Sequence, residues 1–147
     1  AQTPTVRDVS ATTLAPAPPA TPRPEPDDVE LSIAEVAEQA GVSAHTLRYY
    51  ERIGLLAVPR DEGGRRVYTG VDLARVMFIT RLRLTEMPIR DIQAYFRLVG
   101  DGPGNEAQRL DLLERHREQV KRRIVELEAA LVAVEFKIAA YGGQCTP

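Results

Sequence analysis

Val42-Ser43-Ala44-His45-Thr46-Leu47-Arg48-Tyr49-Tyr50-Glu51-Arg52-Ile53-Gly54-Leu55 is the stretch on which the fold of this chain turns. Gly41, just before it, can take the positive φ that a sharp turn after a helix needs, and Ser43 can cap a new helix by accepting from its free N–H groups. Gly54 supplies the stop. Between these marks residues 45, 48, 49 and 52 fall on one helical face and carry His, Arg, Tyr and Arg. Leu47 and Tyr50 turn the other way, toward a preceding helix. A face of that chemistry suits a groove lined with phosphates and base-edge acceptors.

Upstream, Leu31-Ser32-Ile33-Ala34-Glu35 is an S-x-x-E capping box, followed by Ile33, Val36, Ala37 and Ala40 at helical spacing. This predicts a supporting helix that ends at Gly41, and the two helices together make a helix-turn-helix. Such pairs also occur in proteins that never touch DNA, so spacing by itself leaves the function open. Downstream, Leu55-Leu56-Ala57-Val58-Pro59 and Arg66-Val67-Tyr68 can pair as two short strands around Arg60-Asp61-Glu62-Gly63-Gly64. A hairpin directly after a presenting helix reads as a wing whose Arg65 and Arg66 grip the backbone beside the groove. The alternative is a solvated turn with incidental charge.

Thr69-Gly70-Val71-Asp72 offers a second capping signal, with Leu73, Val76, Met77, Ile79, Thr80 and Leu84 forming a core face. Pro88 suits the first position of a further helix, which carries Ile89, Ile92, Phe96 and Val99 until Gly100 stops it. This pair reads as structural, with Arg75, Arg81 and Arg83 available to phosphates. A run of breakers follows, so residues 101–105 form a linker.

From there apolar residues recur at 110, 113, 120, 124, 127, 131, 134, 138 and 141, in steps of three and four with one gap at Arg117. That is a heptad seam. A helix over 106–141 would be roughly 54 Å long at 1.5 Å per residue, far more than a small domain can cover. Its stripe therefore needs another chain, and Leu113, Val120, Ile124, Leu127, Leu131, Val134, Ile138 and Tyr141 are the expected dimer contacts. Its first turns also pack on their own domain. Arg117 either fixes register, pairs across the seam, or lies at the margin beside the folded domain. His116 reads as a helix-surface residue.

Composition sets the outer bounds. The chain has 147 residues and a formal charge of -2. Residues 1–30 hold seven of the eleven prolines and an acidic excess, which predicts a disordered Pro-rich tail; a Pro-rich ligand for a partner is the alternative. Residues 31–99 carry ten arginines against eight acids. A protein so close to neutral does not coat nucleic acid indiscriminately, so binding must rest on a few placed contacts and on duplication of the site. The single cysteine, Cys145, excludes an intramolecular disulfide and a CxxC cluster. It sits in a flexible tail at 142–147, as an inert thiol or a redox or effector site without an activating cation. No long apolar run and no signal segment are evident, which favours a cytoplasmic, nucleoid-associated protein without a membrane partner. Two histidines and no paired acids in a pocket motif give catalysis nothing to work with, so an enzyme is not expected and no cofactor is implied.

These elements, in this order, resemble the MerR family of bacterial transcription regulators over residues 31–141. The most specific strings are the opening stretch and Gly63-Gly64-Arg65-Arg66-Val67-Tyr68. The resemblance implies a mainly α fold: a winged helix-turn-helix DNA-binding domain at 31–100 with a small β-hairpin wing, then a long dimerisation helix at 106–141 in an antiparallel coiled coil. It implies base-edge contacts from His45 and Arg48, with the backbone as an alternative for Arg48. Ser43, Thr46, Tyr49, Arg65, Arg66 and Tyr68 would hold phosphates, with Arg52 on the same face. The partners implied are double-stranded promoter DNA, a second copy of the chain and the RNA polymerase holoenzyme. A homodimer on a palindromic operator would distort the DNA between promoter elements; a pure repressor that does not untwist DNA is the variant. A helical interaction module that docks protein rather than DNA is the reading from a different class. Two departures from the family stand out. Glu86 occupies a position where the second wing often has glycine, so that helix end is either built differently or strained by about 1 kcal/mol. The cysteines of metal-sensing members are absent between Gly100 and Leu113, which argues against a metal site of that kind.

Overall fold

The computed structural model describes residues 29–144. Among these residues the chain forms five helices: α1 (Ile33–Ala40), α2 (Ala44–Arg52), α3 (Gly70–Leu84), α4 (Ile89–Gly100) and α5 (Glu106–Ala140). Residues 1–28, with the Pro-rich segment, and residues 145–147, with Cys145, lie outside the described residues.

Local chemistry explains where the helices begin and end. Ser32 Oγ accepts from the Glu35 N–H at 3.3 Å while the Glu35 carboxylate accepts from the Ser32 N–H at 2.7 Å, so two otherwise orphaned donors are satisfied at once. Gly41 closes α1 in the left-handed region at φ 68°, and Ser43 caps α2 by accepting from the Thr46 N–H at 3.1 Å. At the far end of α2, Gly54 adopts φ 81° and the Leu55 N–H donates back to the Tyr50 carbonyl at 2.9 Å. That reversal drives Leu55 and Leu56 straight into the core. Thr69 and Asp72 repeat the capping box at α3. Val36, Leu47, Leu55, Val76, Ile79 and Ile92 are fully buried; each such side chain contributes about 1.5–3 kcal/mol of hydrophobic stabilisation.

The expected hairpin strands do not form. An isolated antiparallel bridge joins Arg60 to Arg66, and a second joins Leu31 to Tyr68. Pro59 has no N–H to extend a ladder, and after two residues the returning chain changes partner from the outgoing arm to Leu31. The wing is consequently a bridged loop, residues 57–68, tied to the segment that precedes α1. Pro88 stands just before α4 as its cap residue, not at its first helical position. Glu86, between α3 and α4, has φ 64°; of the two ways to end α3 without glycine, the chain uses the strained one.

Helix α5 stops one residue earlier than expected, with Tyr141 as its cap. Its first turns lean on the domain: Leu113 packs against the core, and is in this respect an intramolecular contact. His116 is buried at 8% exposure, with Nε2 2.7 Å from Thr85 Oγ1, which corrects its expected place on the helix surface. The correction arises because α5 crosses the α3–α4 turn at that point. Arg117 is exposed and pairs within its own helix, with Glu118 at 3.1 Å and Glu114 at 3.7 Å. Beyond Val120 the helix has few ties to the head, Arg123 lying 4.0 Å from Glu86, and Ile124, Leu127, Leu131, Val134 and Ile138 are 40–56% exposed along the seam. Val125, Val132 and Phe136, off the seam, are 64–72% exposed as well. No helix among the described residues is long and apolar enough to cross a membrane.

Candidate nucleic-acid interface

Helix α2 is held so that one face is spoken for and the other is free. Leu47 and Tyr50 enter the core, while His45, Arg48 and Arg52 are exposed and Tyr49 is half-buried. The Arg52 guanidinium lies 5.5 Å from the centre of the Tyr49 ring, which stiffens both side chains on the exposed face. At the N-terminus of α2, Ser43 and Thr46 share a hydroxyl–hydroxyl hydrogen bond of 3.0 Å beside free backbone N–H groups. The C-terminal end is pinned from outside: Gln93 Nε2, on α4, donates to the Ile53 carbonyl at 3.0 Å.

In the wing, side chains alternate across the returning arm. Arg65 faces out and is exposed. Arg66 and Tyr68, two residues apart, both turn inward. Arg66 is half-buried, and its Nε donates to Glu51 Oε2 of α2 at 2.5 Å. That hydrogen bond holds the guanidinium pKa above its already high ordinary value. Tyr68 is fully buried and its hydroxyl has no hydrogen-bond partner among the described residues. Burial raises its pKa, with the Arg66 charge opposing that shift. Tyr68 was expected to hold a phosphate; as placed here it cannot reach one and is a core residue. On the neighbouring helices, Arg75 stacks over the Phe96 ring at 4.8 Å and Arg83 donates to the Met87 carbonyl at 3.0 Å, leaving Arg81 exposed and uncommitted to either role.

The structure thus gathers Ser43, His45, Thr46, Arg48, Tyr49 and Arg52 on one side of α2, with Arg66 joined to that helix through Glu51 and Arg65 exposed farther out on the wing. Two supporting residues had no signature in the sequence. Glu51 meets Arg66 across 15 positions and Gln93 meets Ile53 across 40, separations that no helical or strand period connects.

Comparison with known proteins agrees with this geometry. Residues 31–98 match the MerR HTH family regulatory proteins, and residues 73–134 match the family described as MerR, DNA binding. An HTH-type transcriptional regulator of Haemophilus influenzae is 38% identical over 109 residues, which is 74% of this chain and 81% of that one. The regulator YyaN of Bacillus subtilis is 33% identical over 126 residues, covering 75% of this chain and 89% of its own. Among solved structures, a MerR family regulator from Listeria monocytogenes superposes with a TM-score of 0.71 at 37% identity, over 76% of this chain and 86% of that one. HiNmlR, a MerR family regulator lacking the sensor domain and bound to promoter DNA, superposes with a TM-score of 0.72 at 36% identity, over 78% and 91%. Since the matches run through the helix-turn-helix and most of the long helix, the chain belongs to the MerR family of DNA-binding transcription regulators.

Proposed function

We propose that two copies of this chain join along α5 and grip a palindromic promoter operator, one helix-turn-helix in each half-site. Residues 31–100 act as the reading head, 101–105 as the joint and 106–141 as the yoke. His45 and Arg48 read base edges; Ser43, Thr46, Tyr49, Arg52, Arg65 and Arg66 hold the backbone on either side. The observation that carries this reading is the exposed basic face of α2 together with the uncovered apolar stripe of α5 in one chain. A groove of about 320 Å³ at the base of α5, lined by Leu84, Val120, Ile124 and Leu127, continues the seam into the head and offers a seat to the partner's helix. Two heads fixed to a rigid yoke impose their own separation on the DNA, so contact energy is converted into bending and untwisting between promoter elements. RNA polymerase then meets a spacer of altered geometry, at the nucleoid.

The test is a titration of the purified protein against the duplex upstream of its own gene, repeated over a range of salt. Affinity should fall steeply as salt rises. Arg48→Ala should weaken binding by at least about 10-fold, since each lost base-edge or phosphate contact is duplicated in the dimer. A footprint without dyad symmetry, or a protein that binds the fragment only as a monomer, would overturn the reading.

A further inference from the structure

Helix α2 carries an acidic residue where the function least favours one. Glu51 sits directly before Arg52, on a helix that meets phosphates, and its side chain is still 24% exposed. Left alone, this carboxylate would repel the DNA backbone. It is not left alone, because Oε2 accepts from Arg66 Nε at 2.5 Å.

The wing is anchored at its base by the buried Tyr68 ring and by Val58 against the core, but its hydrogen bonding to α2 rests on the Arg66–Glu51 contact. Its own arms share one bridge, Arg60–Arg66, and its remaining backbone tie, Leu31–Tyr68, leads to the segment before α1. Among the described residues, no other hydrogen bond links α2 to residues 57–68. The guanidinium has five N–H donors, and a single bond to Glu51 leaves donors for a phosphate. We propose that Glu51 is a positioning residue for DNA binding: it holds Arg66, and through it the wing, beside α2 with the remaining guanidinium donors ready for the backbone. Resting on the wing's contact with DNA proposed above, this gives an acid on the recognition helix a favourable part in binding a polyanion. A wing already held in place loses less freedom on association than a loose one.

The sign of the effect separates this role from plain electrostatics. Removing a negative charge beside phosphates should tighten binding if charge alone matters. The positioning role requires the opposite: Glu51→Ala should weaken binding of the full-length protein to its promoter duplex by about 10-fold. It should also make the slope of log affinity against log salt shallower by about 2, one phosphate contact per half-site. Glu51→Gln, which keeps the size and an acceptor oxygen, should fall between Glu51→Ala and the wild type, and its melting temperature should stay close to the wild type because the amide oxygen can still accept from Arg66 at this partly exposed site. In an Arg66→Ala background Glu51→Ala should no longer weaken binding. If the wild type binds and both Glu51 variants bind as tightly or more tightly, with an unchanged salt slope, the positioning role is wrong and the DNA reading stands. If the wild type itself ignores the promoter duplex at every salt concentration, the DNA reading falls and takes this role with it.

Discussion

The two ends of this chain solve the burial problem in opposite ways. In α2 each apolar side chain is matched within the same chain: Leu47 and Tyr50 sink beside α1 and α3, and what remains exposed is polar. In α5 the reverse holds past Val120, where Ile124, Leu127, Leu131 and Val134 stand about half exposed on a helix about 52 Å long. Both helices are well formed, so the difference is not one of local propensity. A short helix can close against a small core, whereas a long one outruns it and keeps its shape only with a second apolar surface. The head is a finished object; on the proposed reading the yoke is half of one. Recognition would then be encoded in one copy, and the force that bends DNA would need two.

The sharpest way to break that contrast is to put a charge on the open half. Leu131→Asp places a carboxylate in the centre of the proposed α5 interface, where desolvation has no compensating partner. Measured by light scattering, the particle mass should fall to that of a single chain. Operator affinity should drop by about 10²–10⁴-fold as a linked pair of contacts becomes two separate ones. The melting of the head should remain nearly unchanged, because Leu131 touches none of its core residues. A particle of undiminished mass would show that α5 is not the yoke.

What the sequence disclosed follows the same division. Elements set by near neighbours were legible: both capping boxes, the Gly41 turn and the ends of α2 involve residues three or four apart, and the structure places them as read. The heptad seam was legible for the same reason, though Val125, Val132 and Phe136 form a further exposed apolar set that a single period does not describe. Contacts made across the fold were not. His116 reads as a surface residue until the α3–α4 turn arrives over it with Thr85. The wing looks like a hairpin until Leu31 competes for Tyr68, and Tyr68 looks like a phosphate ligand until the inward register of Arg66 and Tyr68 is known. Within the candidate site, the exposed face of α2 could be read from spacing, whereas the Glu51–Arg66 and Gln93–Ile53 contacts could not.

A smaller effect is expected where head and yoke meet. Glu86 holds φ 64° at the end of α3, a conformation that costs a side chain with a Cβ on the order of 1 kcal/mol. Its partner offers little in return, since Arg123 lies 4.0 Å away and both side chains are more than half exposed. Glu86→Gly relieves that strain but gives the unfolded chain more freedom, so it should stabilise the protein by up to about 0.5 kcal/mol, raising the melting temperature of the head by a degree or two. The same variant relaxes a strained joint beneath α5. If melting is clearly lowered, Glu86 makes contacts that the strain hides, and the head is less self-sufficient than the contrast with the yoke implies.

The smallest effect tests how self-contained the head is at its first helix. Glu35 has its pKa lowered, chiefly by the hydrogen bond from the Ser32 backbone and then by the Ser32 side chain. A carboxyl group that ionises more readily folded than unfolded contributes stability above its unfolded pKa, and that contribution is lost as pH falls through the folded one. Acidification through the carboxylate range should thus loosen α1 before the rest of the head. Glu35→Gln, which cannot titrate, should melt slightly lower than the wild type at neutral pH and converge with it in acid, as followed by circular dichroism. Equal melting at both ends of the range would mean that Ser32 alone caps α1. A gap that widens in acid would mean that Glu35 acts through something other than its ionised carboxylate.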